Sequence, residues 1–174
     1  MTTANKLTIM RIVLIPVFLV VLYLDFAGAR WWALGIFIVA CLTDFVDGYI
    51  ARHYNQITNF GKFMDPLADK MLVMAAMCYF VEYGQMPGWC LAIVLLREFA
   101  VSGMRLVAVE QGRVIAAAWS GKVKTASTMV CLCLMLVFQS NLLNVVCIAV
   151  IVATTVYSGI EYFAKNLDVF KEAD

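Results

Sequence analysis

Charged residues are scarce in this sequence, and histidine is nearly absent. Only 14% of the 174 residues are charged and His53 is the single histidine, whereas 64% are hydrophobic. The mean hydropathy is accordingly high, at +0.88. A soluble domain carries about a quarter charged residues. The composition therefore excludes a soluble globular domain and predicts an integral membrane protein.

Cysteine patterns that bind metals or carry out redox chemistry are also missing. The six cysteines all lie inside apolar runs, without a C-x-x-C pair and without a metal-like spacing to His53. Cysteine in such surroundings behaves as a small apolar residue. We expect these cysteines to be core or lipid-facing residues.

Six apolar runs follow one another with short connections. About 20 residues cross a bilayer as a helix, so six spans would use about 120 residues of the chain. The first run lacks a small-residue cleavage site, so we expect a retained span rather than a signal peptide. The sequence predicts an all-α, polytopic membrane protein with six transmembrane helices that forms one domain over residues 1–174. The predicted spans are residues 7–24, 32–51, 61–83, 89–109, 125–138 and 145–163.

Lysine and arginine are distributed unevenly between the two ends of these spans. If the N-terminus is cytoplasmic, the opposite turns hold only Arg30. The positive-inside rule then predicts that both termini are cytoplasmic. The end of the second span and the start of the third meet at that cytoplasmic face. The residues on the cytoplasmic side are Lys6, Arg11, Arg52, Lys62, Lys70, Arg105, Arg113, Lys122, Lys124, Lys165 and Lys171.

Four carboxylates lie where these two spans meet. Asp44 and Asp47 share one helical face with small residues, and Asp65 and Asp69 are one turn apart on the next span. Carboxylates are costly near a bilayer unless positive charge compensates them. Hard oxygen ligands suit two Mg²⁺ or Mn²⁺ ions, which would clamp a phosphate or pyrophosphate. Helix capping and salt bridges to nearby lysine and arginine are the structural alternative.

The same stretch matches a known signature at every specified position. The segment D-F-V-D-G-Y-I-A-R begins at Asp44 and is followed by Gly61, Asp65 and Asp69, which gives the pattern D-x2-D-G-x2-A-R-x8-G-x3-D-x3-D. It resembles the CDP-alcohol phosphotransferase family. The stretches around residues 5–11, 65–70 and 121–125 look like the phosphatidylglycerophosphate synthase branch of that family.

This resemblance implies transfer of a phosphatidyl group from CDP-diacylglycerol to sn-glycerol 3-phosphate, with release of CMP. It implies a homodimer in the lipid bilayer, and no nucleic-acid partner is expected. The four aspartates would hold two metal ions, and Asp69 would also be the general base. The residues that would hold the CDP part of the donor are Gly48, Arg52 and Thr58.

Basic residues in the second half of the chain are candidates for the acceptor site. Glycerol 3-phosphate is a dianion, and we expect Arg105, Lys122 and Lys124 to bind it. Arg113 is better explained as cytoplasmic loop charge. The role of Arg97 stays open, because it could form an ion pair with the adjacent Glu98.

Other functions remain as alternatives. A different acceptor, such as inositol phosphate, serine or phosphatidylglycerol, is compatible with the motif. A membrane prenyltransferase would repeat its aspartate motif, but the only aspartates after residue 90 are Asp168 and Asp174. An ion channel or transporter would need a polar path across the membrane, and the aspartates are instead predicted at one face.

Overall fold

The chain folds into helices, as shown by a computed structural model. The structure describes the backbone of residues 3–24, 26–53, 59–113, 115–116 and 118–170, and the side chains of residues 7–24, 26–43, 64, 67–113, 115–116 and 118–169. No strand occurs in these described ranges, which confirms the all-α prediction. The elements are α1 (Thr3–Tyr23), α2 (Ala29–His53), α3 (Asn59–Glu82), α4 (Gly88–Glu110), α5 (Trp119–Val137), α6 (Asn141–Lys165) and a 3-10 turn (Leu167–Phe170).

Two helices of the described chain are long and apolar enough to cross a membrane. They are α5, Trp119–Val137, and α6, Asn141–Lys165. Shorter apolar stretches occur in α1 (Leu7–Tyr23) and α2 (Ala29–Thr43). Length and composition thus allow α5 and α6 to cross a membrane, and the six predicted spans stay a prediction.

The predicted start of the fifth span is wrong. Helix α5 begins at Trp119 rather than near Thr125, so Lys122 and Lys124 lie in its first turns and not in a polar connection. Hydropathy is low at these positions, but lysine is a good helix former. The Thr125 hydroxyl also donates a 3.1 Å hydrogen bond to the Gly121 carbonyl one turn earlier. Helix α5 therefore extends beyond its apolar part.

One compact unit consists of residues 1–82 together with 136–139. In it, α1 packs against α2 and α3. The rings of Phe18 and Phe37 join α1 to α2 with centroids 5.8 Å apart. Tyr23 and Tyr79 join α1 to α3 in an edge-to-face contact at 5.7 Å. Small residues face the interior, among them the buried Ala68 on α3, and allow helices to approach closely.

The second compact unit consists of residues 83–135 together with 140–174. In it, α4 packs against α6 through a core that includes Val101, Met104 and Tyr162. Gly112 adopts a φ of +72° just after α4, a conformation that favours glycine. Arg113 then follows and forms an ion pair with Asp168 of the 3-10 turn.

Candidate functional site

The aspartate motif lies on two helices of the first unit. Helix α2 contains Asp44 and Asp47, helix α3 contains Asp65 and Asp69, and α2 contacts α3. The side chains of Asp44, Asp47 and Asp65 lie outside the described residues. Asp69 is described and is half-buried, directly after the fully buried Ala68. The helical backbone thus carries the motif at the predicted one-turn spacings within each helix.

The predicted donor residues lie largely outside the described part. Gly48 and Arg52 belong to the part of α2 for which only the backbone is described. Thr58 lies outside the described residues altogether. Their predicted contacts with CDP-diacylglycerol therefore stay predictions.

The ligand chemistry of the motif fits a hard divalent cation. Among the described side chains, no three of His, Cys, Asp or Glu come together as a metal site, and only Asp69 of the four aspartates belongs to that set. The motif supplies carboxylate oxygens without histidine or thiolate, which is the ligand type of Mg²⁺ and Mn²⁺. The residues present therefore suit these ions.

A buried ion cluster in the second unit joins α4 to α5. Lys124 Nζ donates to Glu98 Oε1 at 2.8 Å, and Arg97 Nη1 donates to the same oxygen at 3.1 Å. The side chains of Arg97, Glu98 and Lys124 are 13%, 12% and 5% exposed. The Arg97–Glu98 ion pair, which the sequence left as one possibility, is present. The link from Glu98 to Lys124 was not foreseen, because nothing in the local sequence pairs residues 26 positions apart.

Two glycines border the Arg97 side chain. A Cβ atom on Gly121 of α5 would lie 3.3 Å from Arg97 Nη2, and one on Gly159 of α6 would lie 3.4 Å from Arg97 Cγ. The arginine therefore runs past α5 and α6 at positions where neither helix carries a side chain. In this position, its guanidinium donates a hydrogen bond to Glu98.

Arg105 is held by a tyrosine of α6. Its Nε donates a 3.0 Å hydrogen bond to the Tyr162 hydroxyl, and its guanidinium carbon lies 5.5 Å from the ring centroid. Tyr162 is buried, whereas Arg105 is exposed. Sequence reasoning missed Tyr162, which is 57 positions away from Arg105.

Lys122 has different surroundings from Lys124, although only one residue separates them. Lys122 is exposed, and its ammonium group lies 5.8 Å from the centroid of the Trp119 ring. Lys124 is buried against Glu98. The three predicted acceptor residues thus occupy three different local environments within the second unit.

Helices α5 and α6 also line a partly open pocket of about 360 Å³. Its walls are mainly apolar, and Glu161 is the one charged residue among them. Glu161 forms an ion pair with Lys165 one turn along α6. The lining residues are Trp119, Ser120, Val123, Ala153, Thr154, Tyr157 and Glu161.

Comparison with known proteins gives a near full-length match. The sequence profile of the CDP-alcohol phosphatidyltransferase family matches residues 1–157. The CDP-diacylglycerol–glycerol-3-phosphate 3-phosphatidyltransferase of Bacillus subtilis is 40% identical, over 98% of this chain and 97% of that protein. The protein of the same name from Escherichia coli is 42% identical, over 72% of this chain and 71% of that protein. The similarity thus spans the aspartate motif and most of the second unit.

Proposed function

Because this chain belongs to the CDP-alcohol phosphatidyltransferase family, we propose that it transfers the phosphatidyl group of CDP-diacylglycerol to sn-glycerol 3-phosphate. The products are phosphatidylglycerophosphate and CMP. The observation that carries this proposal is the similarity, over nearly the whole length of both proteins, to a relative named for that reaction.

Asp69 is the general base of the proposed reaction. It takes the proton from the attacking hydroxyl of glycerol 3-phosphate, while that oxygen forms a bond to the β-phosphorus of the donor. The bond from the β-phosphorus to the bridging oxygen breaks, and CMP leaves. The position of Asp69, half-buried on α3 beside the buried Ala68, supports a role that needs a carboxylate held in a defined place.

The four aspartates Asp44, Asp47, Asp65 and Asp69 are the residues that would hold two Mg²⁺ or Mn²⁺ ions. When bound, such ions neutralise the diphosphate and stabilise the negative charge that develops during phosphoryl transfer. The carboxylate-only ligand set supports this assignment.

The donor and the acceptor are assigned to different groups of residues. Gly48, Arg52 and Thr58 bind the CDP part of the lipid donor, because glycine permits close approach and the arginine fork fits a phosphate. Arg105 and Lys122 bind the phosphate of the acceptor from exposed positions. Lys124 acts from a buried position, where its charge is less screened by water.

We further propose that six helices cross the inner membrane, that both termini and the active site are cytoplasmic, and that the protein is a homodimer. The apolar helices α5 and α6 support the membrane location. Trp31, Trp89 and Trp119 support it as well, because each is exposed near the start of a helix, where an interfacial aromatic belt is expected.

A radiolabelled acceptor assay tests the activity. The purified full-length protein is incubated in mixed micelles with CDP-diacylglycerol, Mg²⁺ and labelled sn-glycerol 3-phosphate. We expect CMP release and labelled lipid that depend on the acceptor, that stop when the ions are chelated and that return with Mg²⁺ or Mn²⁺. Inositol phosphate, serine and phosphatidylglycerol serve as competing acceptors. CMP release with one of these but not with glycerol 3-phosphate would refute the proposed acceptor.

A further inference from the structure

The cluster of Arg97, Glu98 and Lys124 places two cations on one carboxylate oxygen. Both hydrogen bonds end on Glu98 Oε1, at 3.1 and 2.8 Å. These three groups together carry a net charge of +1 at a site where each side chain is at most 13% exposed. An excess charge is costly in such a place, because burial removes hydration. An anion that binds here would offset that cost.

Arg97 retains a donor for such an anion. Its Nε is buried and makes no hydrogen bond with any of the described residues. A guanidinium group binds phosphate best when two of its N–H groups donate together. Because Nη1 is fixed on Glu98, the remaining donors of Arg97 are held in one orientation.

The glycine positions show that the Arg97 side chain has little spare room. A methyl group at Gly121 would come within 3.3 Å of Nη2, close enough that the guanidinium would have to shift by a few tenths of an ångström. A methyl group at Gly159 would lie 3.4 Å from Cγ of the same side chain, which is close to ordinary van der Waals contact. The position of the guanidinium is thus set by Glu98 at one end and by the two helices along its length.

We propose that Glu98 is a positioning residue, which holds Arg97 and Lys124 as a preorganised pair of cations for the acceptor's phosphate. This inference rests on the proposed function, since it takes Lys124 as part of the acceptor site. It adds Arg97 to that site. Glu98 then affects the affinity for the acceptor without touching the substrate itself. The ligand that this pair of cations would bind is a phosphate monoester dianion.

Replacing Glu98 distinguishes a role in positioning Arg97 and Lys124 from a role that only offsets their positive charge. If Glu98 only offset positive charge, Glu98→Gln would strengthen binding of a dianion and lower the KM for sn-glycerol 3-phosphate. If Glu98 positions the cations, the same change raises that KM by about tenfold, the effect of losing a charged hydrogen bond. The KM for CDP-diacylglycerol stays unchanged, and Glu98→Asp, which keeps the charge, recovers part of the acceptor affinity.

Glu161→Gln is the matched control, because Glu161 pairs with Lys165 one turn along α6. It is expected to leave both KM values unchanged. A lower acceptor KM in Glu98→Gln, or an equal rise in both KM values, would overturn the inference.

Gly121→Ala tests the same geometry without removing any charge. Alanine favours a helix over glycine, so the variant should fold, while its methyl group displaces the Arg97 guanidinium. We expect a rise of about threefold in the acceptor KM, less than for loss of the hydrogen bond. An unchanged acceptor KM would show that the position of Arg97 does not matter for binding.

A binding measurement separates this inference from the proposed activity. Inorganic phosphate should raise the Tm of the full-length wild-type protein in detergent, and the rise should be lost in Glu98→Gln and kept in Glu161→Gln. If the wild type releases no CMP with glycerol 3-phosphate but shows this Glu98-dependent shift, the proposed acceptor fails and the anion site stands. If the wild type is active and Glu98→Gln keeps the full shift, the activity stands and the role of Glu98 fails.

Discussion

Lys124 on α5 donates a 2.8 Å hydrogen bond to Glu98 on α4, although the two residues are 26 positions apart in the chain. Their side chains are 5% and 12% exposed. Arg97 donates to the same carboxylate oxygen, so removal of Lys124 still leaves Glu98 with one cation. The structure therefore allows the Lys124–Glu98 interaction to be measured apart from the Arg97–Glu98 interaction.

Lys124→Met should lower the free energy of unfolding by about 1.5–3 kcal/mol, because it removes a buried hydrogen bond between charged groups, while Arg97 still pairs with Glu98. The double variant with Glu98→Gln should lose less than the sum of the two single variants, by about 1–3 kcal/mol. Reversible unfolding in mixed detergent micelles measures these values. Lys122→Met is the control, since the exposed Lys122 should contribute less than about 0.5 kcal/mol. Strict additivity of the two single variants would contradict a direct interaction.

The helical fold was predictable from the sequence because its long apolar runs indicate which segments prefer an apolar environment. The start of α5 was not, since Gly121, Lys122 and Lys124 are polar but helical. Hydropathy reports which residues prefer an apolar environment, whereas helix boundaries also depend on propensity and backbone hydrogen bonds. A polar first turn is therefore assigned to a loop when hydropathy alone is used.

The candidate site was predictable only where its residues are close in sequence. Asp44 and Asp47 are one turn apart on α2, so their relationship follows from helix geometry. The contacts of Glu98 with Lys124 and of Arg105 with Tyr162 depend on how helices pack, and a single sequence does not encode those pairings in its periodicity. The sequence therefore predicts the types of residue at the acceptor site better than their partners.

Tyr162→Phe should weaken acceptor binding through Arg105. The phenylalanine ring keeps the buried packing against Val101 and Met104 but loses the hydroxyl that accepts the 3.0 Å hydrogen bond from Arg105 Nε. We expect a rise of about threefold to tenfold in the KM for sn-glycerol 3-phosphate and a loss of about 1 kcal/mol in stability. Steady-state kinetics with each substrate varied in turn measures the effect.

Tyr157→Phe is the control for that measurement, because Tyr157 lies on the same helix and is exposed. It should change neither KM. If Tyr162→Phe leaves the acceptor KM at the wild-type value, either Arg105 does not bind the acceptor or Tyr162 does not orient it, and Arg105→Gln distinguishes the two.

The ion pair between Arg113 and Asp168, which lies after the last long helix, should make a small, pH-dependent contribution to the free energy of unfolding. The hydrogen bond from Arg113 holds the pKa of the Asp168 carboxyl below its ordinary value of 3.8. A carboxylate with a lowered pKa stabilises the folded state above its ordinary pKa, and this contribution disappears as the pH falls through the lower folded value. Both side chains are about half exposed, so salt should weaken the effect.

Carbon-13 NMR of labelled aspartate measures that titration directly. In Arg113→Gln the pKa of Asp168 should return toward 3.8. Lys165→Gln is a suitable comparison, since Lys165 pairs with Glu161 instead. An unchanged Asp168 titration in Arg113→Gln would show that the ion pair does not form in solution.

Asp69→Asn should slow turnover strongly while the donor still binds. The amide keeps the size of the side chain but cannot accept a proton from the acceptor hydroxyl, and loss of a general base costs about 10²–10⁴-fold in rate. We expect kcat to fall by that factor while the affinity for CDP-diacylglycerol, measured by equilibrium binding, is retained. Asp168→Asn is the same change at an exposed position that pairs with Arg113, and it should leave kcat unaltered. A wild-type kcat in Asp69→Asn would remove Asp69 as the base, whereas loss of donor binding would instead indicate that its main role is to hold the metal ions.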